Sequence, residues 1–238
     1  MDFESTLLFF LFQSTRKIHI LRIQIYKSII KMPFTELVIP PLIQSDEARD
    51  ASTNTVFPTL ASILTSVPGF ILSASGHIIT ENNVTVPESN FHPVLGIEWK
   101  DPKYFHEFVQ SKEFQAFLPA IKPYLSGPPD PELYETDTSP RDILASPIID
   151  VFRINIRDDP TKETAAKTAW EEWVKALGDA NFLSGVSVNL PERLFIGMIG
   201  WSGVQERERS LEKTAHLKEV LEKSNDVQSL VVQLSTAP

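Results

Sequence analysis

Two histidines bracket a stretch with no counterpart elsewhere in the chain. His77 and His92 stand either side of IITENNVTVPESNF (78–91), a run of polar and turn-forming residues between two apolar segments. An imidazole titrates near neutrality and can take a proton from a phenol or enol, so both are candidate general bases. If the stretch is a lid, the two strand-end rings could meet at a pocket mouth. If it is a surface decoration, both lie in solvent. His106 falls in DPKYFHEF (101–108), about 100° round a helix from Phe105 and at the edge of an apolar stripe. Trp99 and Trp201 each close an apolar strand, and together with Phe70 and His106 they are candidates to line a hydrophobic pocket. Their repetition equally suits a packing role.

Other chemistries are excluded or unsupported. The chain contains no cysteine, which rules out disulfides, thiolate catalysis and Cys-ligated zinc. No histidine–carboxylate spacing resembles a metal cage and no glycine-rich loop could cradle a phosphate, so no metal, nucleotide or other cofactor is expected. Glu171-Glu172 and the Glu206–Arg209 run read as solvated helix faces. A net charge of −9 over 238 residues argues against a nucleic-acid or anionic-membrane surface. A cytoplasmic location is compatible with these features.

The elements that must position these residues occur twice. VLGIEWKDPKYFHEFVQS (94–111) matches FIGMIGWSGVQERERSLE (195–212), each an apolar strand ending in tryptophan and followed by a short turn into a helix. Upstream, PGFILSASGHI (68–78) matches ANFLSGVSV (180–188), and each follows a helical segment, FPTLASILTSV (57–67) or TAAKTAWEEWVKALGD (164–179). TELVIP (35–40) and PIIDVFRINI (147–156) open the two halves, while ELYETD (132–137) and VQSLVVQLS (227–235) close them. Each half therefore reads β-α-β-β-α-β. The expected architecture is α+β: two tandem ferredoxin-like modules, residues 32–138 and 139–238, packed sheet-to-sheet as an intramolecular barrel. Each module alone leaves a sheet face uncovered, and the pair can cover each other. The Pro- and Asp-rich stretch 126–147 reads as the linker. In the first module Asp101 should cap a helix with Pro102 at its first position, and a restart is expected near Ser111.

The first 31 residues differ from the rest, carrying a net charge of +3 against −12 for the remainder. Ile18–Ile30 could form a basic amphipathic helix, a mitochondrial address or a peripheral membrane contact. The favoured expectation is a disordered or spurious extension before a natural start at Met32.

On the strand–Trp–helix blocks GIEWKDPKYFHEFVQSKEFQAF (96–117) and GMIGWSGVQERERSLEKTAHLKEV (197–220), the chain resembles the dimeric α+β barrel superfamily. It is similar to the antibiotic-biosynthesis monooxygenase and stress-responsive A/B barrel branches, in a fused tandem form like that of uncharacterised fungal proteins. The resemblance implies cofactor-independent oxygenases, polyketide cyclases, haem-degrading enzymes or proteins without assigned activity. In the cyclase branch a His-Pro-x-His helix motif supplies a catalytic base, with a tyrosine six residues before the second histidine. His216 matches that second histidine, but Ser210 stands at the tyrosine position, and the first copy reads Ser111-Lys112-Glu113-Phe114 with Phe108 in place of tyrosine.

Three functions are carried forward. The first is a cofactor-free cyclase, isomerase or monooxygenase of secondary metabolism acting on a hydrophobic polyketide-like substrate, with His92, His77 and His216 as candidate bases. The second is a non-catalytic ligand-binding or stress-associated barrel, which a sheet–helix interior without a cavity of about 300 Å³ would favour. The third is a haem-binding barrel. A monomeric pseudo-dimer is expected, with a further homodimer left open.

Overall fold

The computed structural model describes residues 32–224 and 226–235. The basic N-terminal stretch lies outside them. In the compact unit from Pro33 onward, the first half runs β1 (Phe34–Val38), α1 (Asp46–Ala51), a π-helical turn (Ser52–Val56), α2 (Phe57–Leu64), β2 (Phe70–Glu81), the two-residue β3 (Val84–Thr85), β4 (Pro93–Trp99), α3 (Pro102–Val109), α4 (Lys112–Ile121) and β5 (Glu132–Thr136). After the short α5 (Arg141–Leu144), the second half runs β6 (Ile148–Asn155), α6 (Pro160–Leu177), β7 (Asn181–Ser187), β8 (Leu194–Trp201), α7 (Val204–Ser224) and β9 (Val227–Leu234).

The strand order β2-β4-β1-β5 in the first half repeats as β7-β8-β6-β9 in the second, the ferredoxin-like order in both. The halves do more than face each other. β5 pairs with β7 and β9 pairs with β2, all antiparallel, so eight strands close into a barrel with no free edge. Strand alternation then sorts the side chains. Leu37, Val94, Tyr134, Ile149, Val151, Met198 and Val232 fill the barrel. Their neighbours turn outward to meet the helices in two separate cores, around Trp99 and Phe108 in the first half and around Trp170, Trp173 and Trp201 in the second.

Local signals explain the helix boundaries near Trp99. The Asp101 carboxylate accepts the Lys103 N–H at 3.2 Å and Pro102 opens α3. The restart is real: the Ser111 hydroxyl accepts the Phe114 N–H at 3.1 Å and begins α4. Two stripes out of phase along one straight helix could not both face the sheet, and the break lets Phe105, Phe108 and Phe117 all be buried.

Two segments differ from their sequence reading. The linker holds the expected strand β5 and also the unforeseen α5, whose Ile143 and Leu144 pack into the barrel core. Gly96 makes room, because a Cβ there would lie 2.6 Å from a Leu144 methyl. The insertion 78–91 is neither a lid nor a loose loop. β2 continues to Glu81 and turns tightly through Asn82 and Asn83, with φ of 48° and 64°, a left-handed pair suited to a hairpin. The turn then grips the other half. Asn82 N–H donates to the Ser229 carbonyl at 2.7 Å, Ser229 N–H donates to Asn82 Oδ1 at 3.0 Å, and Lys218 Nζ donates to Asn83 Oδ1 at 2.9 Å. Polar contacts lock the barrel from inside as well. Arg153 of β6 pairs with Glu132 of β5, and the Tyr134 hydroxyl donates to Glu132 Oε2 at 2.5 Å.

Candidate functional site

Between sheet and helices in the first half lies a cavity of about 310 Å³, at the lower end of the range for small-molecule sites, roughly 300–1,000 Å³. Strands β1 and β4 supply Val38, Leu95 and Ile97 to its floor, while Phe57, Leu60, Phe108, Val109, Phe114 and Phe117 of the helices form its walls. Ser52 and Tyr124 reach it from the π-turn and from the 3-10 turn Lys122–Tyr124 that follows α4, and no lysine, arginine or histidine lines it. One ionisable carboxyl does: Glu36, in the middle of β1.

Glu36 points outward because Leu37 points into the barrel, and it is only 6% exposed. Its Oε2 accepts the Trp99 indole N–H at 2.6 Å, and no other hydrogen bond to its side chain exists among the described residues. Burial raises its pKa to about 7, with the Trp99 bond pulling the other way. A carboxyl in this setting holds its proton at mildly acidic pH and releases it near neutrality.

The second half shows what the same position looks like when completed internally. Asp150 lies in the first strand of its half, opposite Ile199 as Glu36 lies opposite Ile97. It accepts the Trp201 N–H at 2.7 Å, and Arg207 clamps both oxygens, Nε to Oδ2 at 2.8 Å and Nη2 to Oδ1 at 2.8 Å. Counting from the two tryptophans, Arg207 corresponds to Phe105 in the first half. The ion pair has no equivalent around Glu36. Packing differs too. α6 is one unbroken helix that lays Trp170 and Trp173 on the sheet, and a Cβ at Gly197, the counterpart of Leu95, would sit 2.5 Å from the Trp170 ring. In the first half the corresponding helix is broken by the π-turn, a device common at functional sites, and the space stays open.

The residues singled out in the sequence lie elsewhere. His77 is half-buried on β2 with its ring 5.5 Å from Phe91, and burial together with Arg49 keeps it below the usual imidazole range. The His92 carbonyl accepts the Ile78 N–H and His77 lies opposite Pro93, so adjacent register positions put the two rings on opposite sheet faces. They do not meet. His92 Nδ1 stands 3.8 Å from Glu81 Oε2. His106 and His216 are exposed on α3 and α7. Trp99 and Trp201 are fully buried, and Phe70 packs edge-on to Trp99 at 6.2 Å. Among the described residues no group of three or more His, Asp or Glu is arranged to hold a metal ion, and no helix is long and apolar enough to cross a membrane.

Glu36 escaped the sequence reading, yet a signal was present. An acidic residue interrupts the apolar opening strand of each half, Glu36 in TELVIP and Asp150 in PIIDVFRINI.

A stability prediction follows from its proton. The folded pKa lies above the unfolded value near 4.5, so between about 4.5 and 7 the folded chain keeps a proton that the unfolded chain has lost. This contribution is complete below pH 4.5, declines through the window, and is gone above 7. It amounts to about 3 kcal/mol. Denaturant titrations of wild type and Glu36→Gln at pH 5 and pH 7.5 should show a steeper loss for wild type; equal pH slopes would contradict the raised pKa.

No protein-family model matches the chain, and no curated protein sequence matches it. Solved structures do. An anthrone oxidase-like protein superposes with a TM-score of 0.60 at 12% identity, over 87% of this chain and 93% of that one. A candidate monooxygenase from Fusobacterium nucleatum gives 0.58 at 8% identity, over 87% and 94% of the two chains. Another from Lactobacillus acidophilus gives 0.53 at 12%, over 86% and 95%. What they share with this chain is the fold. The likeness extends over both halves of this chain, since 86–87% of it is covered.

Proposed function

We propose that the protein is a cofactor-independent enzyme that removes a proton from a hydrophobic, polyketide-like aromatic substrate, with Glu36 as the general base. The observation that carries this reading is a buried carboxyl with one neutral hydrogen-bond partner, facing an apolar cavity, with a pKa of about 7. A base is most effective when its pKa lies near the working pH. The aromatic walls suit a flat ring system, and the weakly polar surroundings let an acidic C–H or phenolic O–H approach the carboxylate without competing water.

Ionised Glu36 takes the proton and leaves a resonance-stabilised carbanion. Addition of O2 gives a peroxide anion, which recovers a proton and loses water to leave a carbonyl. One O2 is consumed and one water released per substrate. Without O2 the same carbanion closes a ring or is reprotonated at another carbon, the cyclase and isomerase variants. The fold likeness to an anthrone oxidase-like protein and to candidate monooxygenases is in keeping with the oxygenase branch. In this reading residues 32–138 form the catalytic module and 139–238 the scaffold.

Oxygen uptake with a hydroxyanthrone tests it. The wild-type protein should consume O2 without added metal or flavin. Val109→Trp, which fills the cavity from its half-buried wall, should abolish the protein-dependent rate. A Val109→Trp variant that keeps the wild-type rate would place the chemistry outside this cavity, and a folded wild type that accelerates no such substrate would favour a binding protein.

A further inference from the structure

We propose that the first-half cavity also binds a protonated hydrophobic amine, whose ammonium completes Glu36 as Arg207 completes Asp150. The argument rests on the internal repeat. Both halves place a carboxylate on the opening strand and tie it to the tryptophan that ends the neighbouring strand, β4 or β8, at 2.6 Å in one and 2.7 Å in the other. The second half adds a cation on the helix side, the Arg207 guanidinium with three contacts to Asp150 at 2.8–3.0 Å. The first half has Phe105 at that position and no basic residue in the cavity wall. Where the second half carries a charged N–H donor, the first carries the buried, apolar Phe105, and its carboxyl faces a cavity large enough for a small ligand.

The walls suit such a ligand. An aromatic amine would lay its rings among Phe57, Phe114 and Phe117, and its ammonium near Glu36 would find Phe108 and Tyr124 in the same lining. Ring faces attract a cation, and a charge-assisted hydrogen bond to a desolvated carboxylate is stronger than a neutral one. A carboxylate-bearing ligand meets the reverse, since it would be desolvated beside a like-charged group with no cation to offset it. This inference shares the cavity with the catalytic reading but does not depend on turnover: an amine held at Glu36 occupies the base and acts as a competitive inhibitor.

The proton inventory gives the binding its signature. An ammonium pairs with ionised Glu36, so below neutrality binding must expel the carboxyl proton. Affinity for the amine should therefore fall about tenfold per pH unit well below the Glu36 pKa of about 7, and level off above it. A neutral isostere of the same shape releases no proton and should not follow this slope.

Fluorescence or calorimetric titration of the full chain with 1-naphthylmethylamine, 1-naphthylmethanol and 1-naphthoate is the test. At about pH 8 the amine should bind at least about tenfold more tightly than the alcohol, one per chain, with the carboxylate weakest. Glu36→Gln keeps an acceptor for the Trp99 N–H and removes the charge, so it should bind amine and alcohol alike. The proposal is overturned if wild type does not prefer the amine, if the preference survives in Glu36→Gln, or if amine affinity is flat from pH 5.5 to 8. A protein that prefers the amine but turns over anthrone without Glu36 would sink the catalytic reading alone; the converse pattern would sink this one alone.

Discussion

Replacing Glu36 with glutamine should lower turnover by about 10²–10⁴-fold, the range typical for loss of a positioned general base. The substitution is nearly isosteric. The amide oxygen can still accept the Trp99 N–H now held at 2.6 Å, so the floor of the cavity keeps its shape while the proton acceptor is lost. The loss should appear in kcat rather than KM, because the aromatic walls that hold the substrate are untouched. In wild type the rate should rise with pH through a midpoint near 7 as Glu36 ionises. Alanine substitutions of His77, His92 and His216, none of which lines the cavity, should leave this profile in place. A Glu36→Gln enzyme with the wild-type rate, or a midpoint that moves with His77 or His92 instead, would transfer the base to another residue.

The matching change in the second half should have the opposite character. Asp150→Ala is expected to cost about 3–5 kcal/mol of stability, since it strands a largely buried guanidinium. Asp150 is 1% exposed, and its removal unpairs both Arg207 and the Trp201 N–H. For a domain of this size the expected fall in Tm is about 10 °C. Glu36→Gln at pH 7.5 should be no less stable than wild type and up to about 3 kcal/mol more so, because no cation is left unpaired and the charge that burial disfavours is removed. Thermal melts of both variants decide between the roles. An Asp150→Ala protein as stable as wild type would mean that the second carboxylate is not a structural centre.

These two carboxylates also mark how far the sequence carries. The paired β-α-β-β-α-β pattern, the Asp101–Pro102 cap and the restart at Ser111 were all legible, because each rests on local residues and short-range periodicity. The equivalence of Trp99 and Trp201 was legible too, and their full burial follows from it. The barrel was expected, but not which strands close it. Pairing of β5 with β7 and β9 with β2 joins strands far apart in sequence, and no local signal encodes it. The hairpin at Asn82–Asn83 looked like a loop because its partner, Ser229, lies at the other end of the chain.

The cavity was hidden for a related reason. It is a space left where the π-turn, α4 and the Pro128–Pro131 strap fail to fill the face that Trp170 and Trp173 fill in the other half, and empty volume has no residue to announce it. Histidines drew attention because their side chains titrate near neutrality unaided. Glu36 reaches the same range only through burial, which depends on residues contributed by three helices. A glutamate flanked by Thr35 and Leu37 reads as an ordinary edge of a strand until its mate at Asp150 is seen with its arginine.

The most direct measurement is the titration of the Glu36 side-chain carboxyl by carbon-13 NMR in glutamate-labelled protein, with Glu36→Gln identifying the resonance. The Trp99 indole N–H, bonded to Oε2, should shift with the same midpoint. A midpoint near pH 7, common to both signals, is the expected result. A Glu36 resonance that titrates near 4.5, with the Trp99 signal unmoved through neutrality, would contradict the assignment of this carboxyl as the base of the site.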